Sequence, residues 1–147
     1  MITTRYALCG VRVIRDAEDN RISIVDIFED IGSPQFPVLI PRASFVWALS
    51  RDEGDEQVHN AAIVVTQGGQ ELGRFEMQVD FKDALLTRII AVVGGLVIPE
   101  PGPVVVRFDI PDVATATFLI TARAIQQVVA QQAEPGRPVP PGSIVAI

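Results

Sequence analysis

An all-β sandwich of about eight mainly antiparallel strands is the fold the sequence predicts, on three observations. Apolar and polar residues alternate with period two through much of the chain. β-Branched and aromatic residues dominate those runs. Turn-forming pairs separate the runs at short, fairly regular spacing.

In chain order, Tyr6 to Ile14 and Ile22 to Phe28 are apolar, strand-like runs separated by Asp19-Asn20, a short hairpin signal. Pro34, Pro37 and Pro41 make the next stretch a crossover or an edge, because proline cannot donate to a ladder. Ala43 to Leu49 and Val58 to Thr66 are again strands, joined through the acidic loop RDEGDE. After Gly68-Gly69, alternation is clear from Leu72 to Phe81: Phe75, Met77, Val79 and Phe81 oppose Arg74, Glu76, Gln78 and Asp80. Successive strand side chains point to opposite faces, so one face is dry and the other wet, as in antiparallel sheets.

Arg88 to Ile98 differs, being apolar on both parities. It reads as a central strand, or as one whose outer face meets a partner. Glu100-Pro101-Gly102-Pro103 then stops one strand and starts the next. Val104 to Ile110 and Val113 to Arg123 alternate cleanly around Pro111-Asp112. Ala124 to Glu134 fits either a short helix, with Ile125, Val128 and Val129 at helical spacing, or a continuing strand. EPGRPVPPG follows as an extended, polyproline-like spacer, and the chain closes on Ser143-Ile144-Val145-Ala146-Ile147. The expected division is a sandwich over 1–125 and a helix or extended Pro-rich tail over 126–147.

Composition narrows the function classes. Eighteen carboxylates oppose twelve cations, giving a net charge of −6, and the eleven arginines are scattered singly. Nucleic-acid binding draws on a basic patch or stripe, so nucleic acid is not an expected partner. The longest apolar stretch, Ala84 to Ile98, contains Arg88 and Gly94-Gly95 and is too short to span a bilayer as a helix, so no membrane is expected. A single cysteine and no evident secretory signal fit a cytoplasmic location.

Candidate chemistry is sparse. His59 is the one histidine, no G-x-S-x-G elbow accompanies it, and a structural histidine is the simpler reading. Cys9 lies in an apolar strand, where free cysteine behaves as a small hydrophobe. One histidine and one cysteine do not make a zinc site. Asp52, Glu53, Asp55 and Glu56 are weak candidates for Ca²⁺, which takes oxygen ligands from loops, but the D-x-D-x-D-G pattern is missing. GGQELG, Gly68 to Gly73, lacks the lysine of a phosphate loop and lies between strands. Asp26, Asp80, Asp83 and Asp109 are carboxylates that a fold can pair, although their spacing gives no warrant for it. No cofactor is implied.

Three phrases carry a family resemblance: RYALCGVRVIRDAEDNRISIVDIFEDI, SPQFPVLIPRASFVWAL and LVIPEPGPVVVRFDI. They resemble a group of uncharacterised bacterial proteins, a domain-of-unknown-function family, over most of Arg5 to Arg123. The resemblance implies an eight-stranded sandwich and supplies no activity, cofactor or catalytic residue.

The expected function is a non-catalytic interaction or assembly module, a homo-oligomer or the binder of a protein partner. The alternative is a small-molecule or Ca²⁺ binder using its end loops, and a carboxylate enzyme comes third. Ile89, Val93, Leu96 and Ile98 are the expected contact residues in the sheet, because an exposed apolar patch marks an interface. Ile144, Val145 and Ile147 are the expected contacts in the tail, docking as an added strand.

Overall fold

Nine strands make up the computed structural model, which describes residues 1–126. They are β1 (Thr3–Arg15), β2 (Ile22–Ile27), β3 (Asp30–Ser33), β4 (Val38–Ser50), β5 (Val58–Gln67), β6 (Gln70–Asp80), β7 (Leu86–Ile98), β8 (Gly102–Ile110) and β9 (Ala114–Ala124). Four form one sheet in the order β2-β1-β4-β7, and five form the other in the order β3-β9-β8-β5-β6. The all-β sandwich is as predicted. The extra strand is β3, which pairs parallel to β9 from Asp30↔Thr121 to Ser33↔Ala124. Its four residues lack an alternating apolar pattern, so the sequence carried no signal for it. No helix occurs among the described residues. Most of Ala124 to Glu134, the Pro-rich spacer, and Ile144, Val145 and Ile147 lie outside them.

The turns form where glycine, asparagine and aspartate permit left-handed backbone. Asn20 (φ 60°), Gly68 (φ 55°), Gly69 (φ 79°) and Asp112 (φ 60°) sit at the predicted hairpin tips. Between the sheets, Phe45 and Trp47 of β4 meet Phe108 of β8, with ring centroids 6.3 and 5.7 Å apart. All three are fully buried, each stabilising the fold by roughly 1.5–3 kcal/mol through area removed from water. The indole N–H of Trp47 is not orphaned there, because it donates to Thr4 Oγ1 at 2.9 Å.

β4 and β7 pair without interruption in register from Val38↔Ile98 to Ser50↔Leu86, yet both change face partway. In β7, Val93 points inward, and so does Leu96, three residues on. In β4 the inward residues Ile40 and Ala43 show the same slip. The switch falls on Gly94-Gly95, with Gly95 at φ 73°, opposite Pro41-Arg42. A Cβ on Gly94 would stand 3.6 Å from the Pro41 carbonyl oxygen, ordinary contact, so the demand is on the left-handed Gly95.

That switch corrects the reading of the 89–98 run. Ile89, Val93, Leu96 and Ile98 are not an exposed contact patch. Val93, Leu96 and Ile98 are buried in the core, and Ile89 is partly buried against it. Both parities are apolar because each serves the core on its own side of the glycine pair. The outward residues are instead Ile90, Val92 and Val97.

Candidate functional site

Two surface features stand out, and both arise from the smaller sheet. The first is a folded-back hairpin. β4 pairs with β1 from Thr3 to Gly10, whereas β2 pairs with β1 only from Gly10 to Arg15. The division at Gly10 is a bend. A Cβ on Gly10 would lie 2.8 Å from Ile24 Cγ2 and 3.1 Å from the Val25 carbonyl oxygen, so the close approach of β2 requires glycine.

Beyond the bend, the β1–β2 hairpin returns over the outer face of the sheet. Its tip reaches β7, where the Arg88 guanidinium donates to the Asn20 carbonyl. Nearer the bend, Ser44 Oγ donates to the Val11 carbonyl at 3.3 Å. This third layer explains why Ser44, Val46 and Ala48, on the outer face of β4, are as buried as their inward neighbours.

Between the hairpin tip and the sheet runs an open groove of about 740 Å³. Arg15, Asn20 and Ile22 line it from the hairpin, and Tyr6, Ala48, Arg88 and Ile90 from the sheet. Tyr6, Ala48 and Arg88 are cross-strand neighbours in one row. Arg5 joins them through a β-bulge: register shifts between Thr4 and Tyr6, so Arg5 and Tyr6 both turn to this face. Leu86, Asp80 and Lys82 close the lower end.

The second feature is the free edge of β7. The strand order ends there, leaving one side of a thirteen-residue strand without a neighbour in its sheet among the described residues. Val92 is 56% exposed and Val97 46% exposed, and Val97 stands opposite Leu39, itself 59% exposed. No charged residue occurs between Arg88 and Glu100, in a chain where 20% of residues are charged.

The residues singled out from sequence are placed elsewhere. In the acidic loop, the Met1 ammonium donates to Asp52 Oδ2 and Asp55 Oδ2, both at 2.6 Å. The Asp52 and then the Asp55 carboxylate hold the amine above its ordinary pKa, and the amine in turn holds Asp55 below the usual carboxylate range. Asp55 Oδ2 also accepts from the Asp52 N–H at 2.9 Å, so the loop is tied internally. Glu53 and Glu56 are exposed. Among the described residues, no group of three or more His, Cys, Asp or Glu side chains has a metal-holding arrangement.

His59, at the start of β5, is bonded through Nε2 to the Glu56 carbonyl at 2.9 Å, a local contact with the loop that precedes the strand. Cys9 is fully buried and its thiol is pushed up to about 12 by that burial. The four aspartates do not meet. Asp80 accepts from the Lys82 N–H, Asp83 from Gln57 and Asp109 from Thr115, while Asp26 is exposed on β2. Sequence reading missed the groove because its cations stand at positions 5, 15, 82 and 88, and only the folded-back hairpin gathers them. The available signal was Gly10 together with the apolar second parity of β4.

A β-sandwich carrying a folded-back hairpin beside an apolar edge strand is the class these features define. The chain belongs to the Family of unknown function (DUF6941), whose model matches residues 8–123. The sequence resemblance to an uncharacterised domain family is thereby shown, and the match brings no catalytic assignment. No curated protein matches the chain. Among solved structures, a β-glucosidase, EmGH1, from Erythrobacter marinus is similar at 10% identity and a TM-score of 0.46, covering 84% of this chain and 15% of its own. A β-glucosidase from Listeria innocua in complex with glucose is similar at 6% identity and a TM-score of 0.46, covering 83% of this chain and 16% of its own. The chain thus spans less than a fifth of either enzyme's length. Among the described residues, no helix is long and apolar enough to cross a membrane.

Proposed function

We propose that this domain is a non-catalytic self-association module that joins a second copy of itself along the free edge of β7. The single observation that carries this reading is the edge itself: a long strand, uncharged from Ile89 to Ile98, with outward Val92 and Val97 and the neighbouring Leu39 in water. Edge strands normally carry protection, such as an outward lysine, a proline or a covering loop, because their open N–H and C=O groups template pairing. The stretch 89–98 has no lysine or proline. Two copies meeting there antiparallel, about a twofold axis, pair those groups and bury the valines reciprocally. The buried single cysteine suits a reducing, cytoplasmic setting for such an assembly.

Size-exclusion chromatography with light scattering tests this on the full chain. Wild type is expected to run as a dimer at high micromolar concentration, and Val92→Lys/Val97→Lys as a monomer with an unchanged far-ultraviolet spectrum. A monomeric wild type, or a variant that stays dimeric, overturns the proposal. Deletion of Ser143 to Ile147 separates the strand sources: loss of the dimer there, with the valines intact, assigns the edge to the tail.

A further inference from the structure

The groove under the hairpin has a charge balance opposite to that of the chain. Arg5, Arg15, Lys82 and Arg88 line it, against Asp80 as the one carboxylate, in a protein of net charge −6. Asp80 is already engaged, accepting the Lys82 backbone N–H at 2.9 Å. Among the described residues, none of the four cations takes part in an ion pair, although five ion pairs form elsewhere. Like charges gathered in a cleft with apolar walls repel one another and focus a field toward the opening.

The cations are also positioned. The bulge in β1 turns Arg5 outward beside Tyr6. Asn20, in left-handed backbone at φ 60°, fixes two guanidiniums at once. Its Oδ1 accepts from Arg15 Nε at 2.7 Å, and its carbonyl accepts from Arg88. Each arginine thereby commits one nitrogen, and a guanidinium has five N–H donors in a fixed fork. Tyr6, Ile22, Leu86 and Ile90 supply an apolar wall beside the donors.

We propose that this groove binds a small organic dianion, a phosphate ester or a dicarboxylate, whose apolar body lies along Tyr6 and Ile90. Planar guanidiniums recognise either anion by paired hydrogen bonds. The groove shares β7 with the proposed interface through Leu86, Arg88 and Ile90, but anion binding is read by titration and self-association by light scattering, so either can fail while the other holds.

The test is calorimetric titration and thermal melting of the full chain with phenyl phosphate and with phthalate, using benzyl alcohol as the neutral control and sodium chloride at matched ionic strength. At least one dianion is expected to bind and raise the melting temperature. The neutral control and the salt are expected to do neither. Whichever anion binds identifies the chemical source. Arg5→Gln and Lys82→Gln, which leave the Asn20 contacts in place, are expected to weaken binding roughly tenfold each. Asn20→Gly tests positioning: it retains every cation and is expected to weaken binding with little change in fold. No stabilisation by either dianion, equal binding by the Arg5 and Lys82 variants, or an equal shift with sodium chloride overturns the proposal. Tighter, length-dependent binding of single-stranded DNA overturns the small-ligand form of it.

Discussion

β4 and β7 lie side by side in one sheet, and both are apolar on both parities, yet they meet opposite fates. From Ala43 to Leu49, every residue of β4 is buried, because the hairpin lies over its outer face. β7, one position further out, keeps Val92 and Val97 in water. Two similar sequences are thus apolar for different reasons. β4 is a layer between two others. β7 has a mid-strand change of face that places apolar residues of each parity in the core. Hydrophobic pattern alone does not distinguish a sandwiched strand from a kinked edge strand.

The comparison breaks most sharply at matched valines. Val46→Asp puts an unpaired charge between sheet and hairpin, and is expected to cost about 3–5 kcal/mol in urea denaturation. Val92→Asp, on the same outer face of the sheet, is expected to stay within about 0.5 kcal/mol under monomeric conditions. Similar losses at the two sites would mean that the hairpin does not cover β4.

A smaller effect tests the cover itself. In Gly10→Ala the added methyl meets the Val25 carbonyl, which cannot swing away as a side chain can. The expected loss is about 1–3 kcal/mol, with faster amide exchange concentrated in 22–25 and 44–48. Unchanged exchange there would show that the bend tolerates a side chain.

The smallest effect at ordinary pH concerns Cys9, on the inner side of β1. Its folded thiol ionises near 12 against an ordinary 9.0. The folded state therefore holds its proton longer than the unfolded chain. That contribution to stability is complete below about 9 and is lost as pH rises toward about 12. Thiol modification of native protein at pH 8 should follow the rate of opening, and prompt labelling would place Cys9 at the surface.

Much of this was legible in the sequence. Alternation from Leu72 to Phe81 and from Val104 to Arg123 placed the inward residues correctly, because each strand there has one wet face. The tips at Asn20, Gly68-Gly69 and Asp112 were legible because left-handed backbone restricts residue choice. β3 was not, since four residues held by parallel pairing to β9 need no pattern of their own. Nor was the groove. Arg5 and Arg88 are 83 positions apart, and what joins them is the row Tyr6-Ala48-Arg88 beneath a bent hairpin, a tertiary fact.

The shared switch at Pro41-Arg42 and Gly94-Gly95 acts as a vernier between β4 and β7. In a uniform ribbon, sliding one strand by two residues returns every side chain to its proper face. Here such a slide sets inward Leu96 against outward Arg42, and left-handed Gly95 against Ala43 instead of Pro41. The edge strand is therefore pinned in phase along its length. A second chain pairing with that edge inherits the phase, and aligns in one register where an unmarked valine-rich strand would accept several.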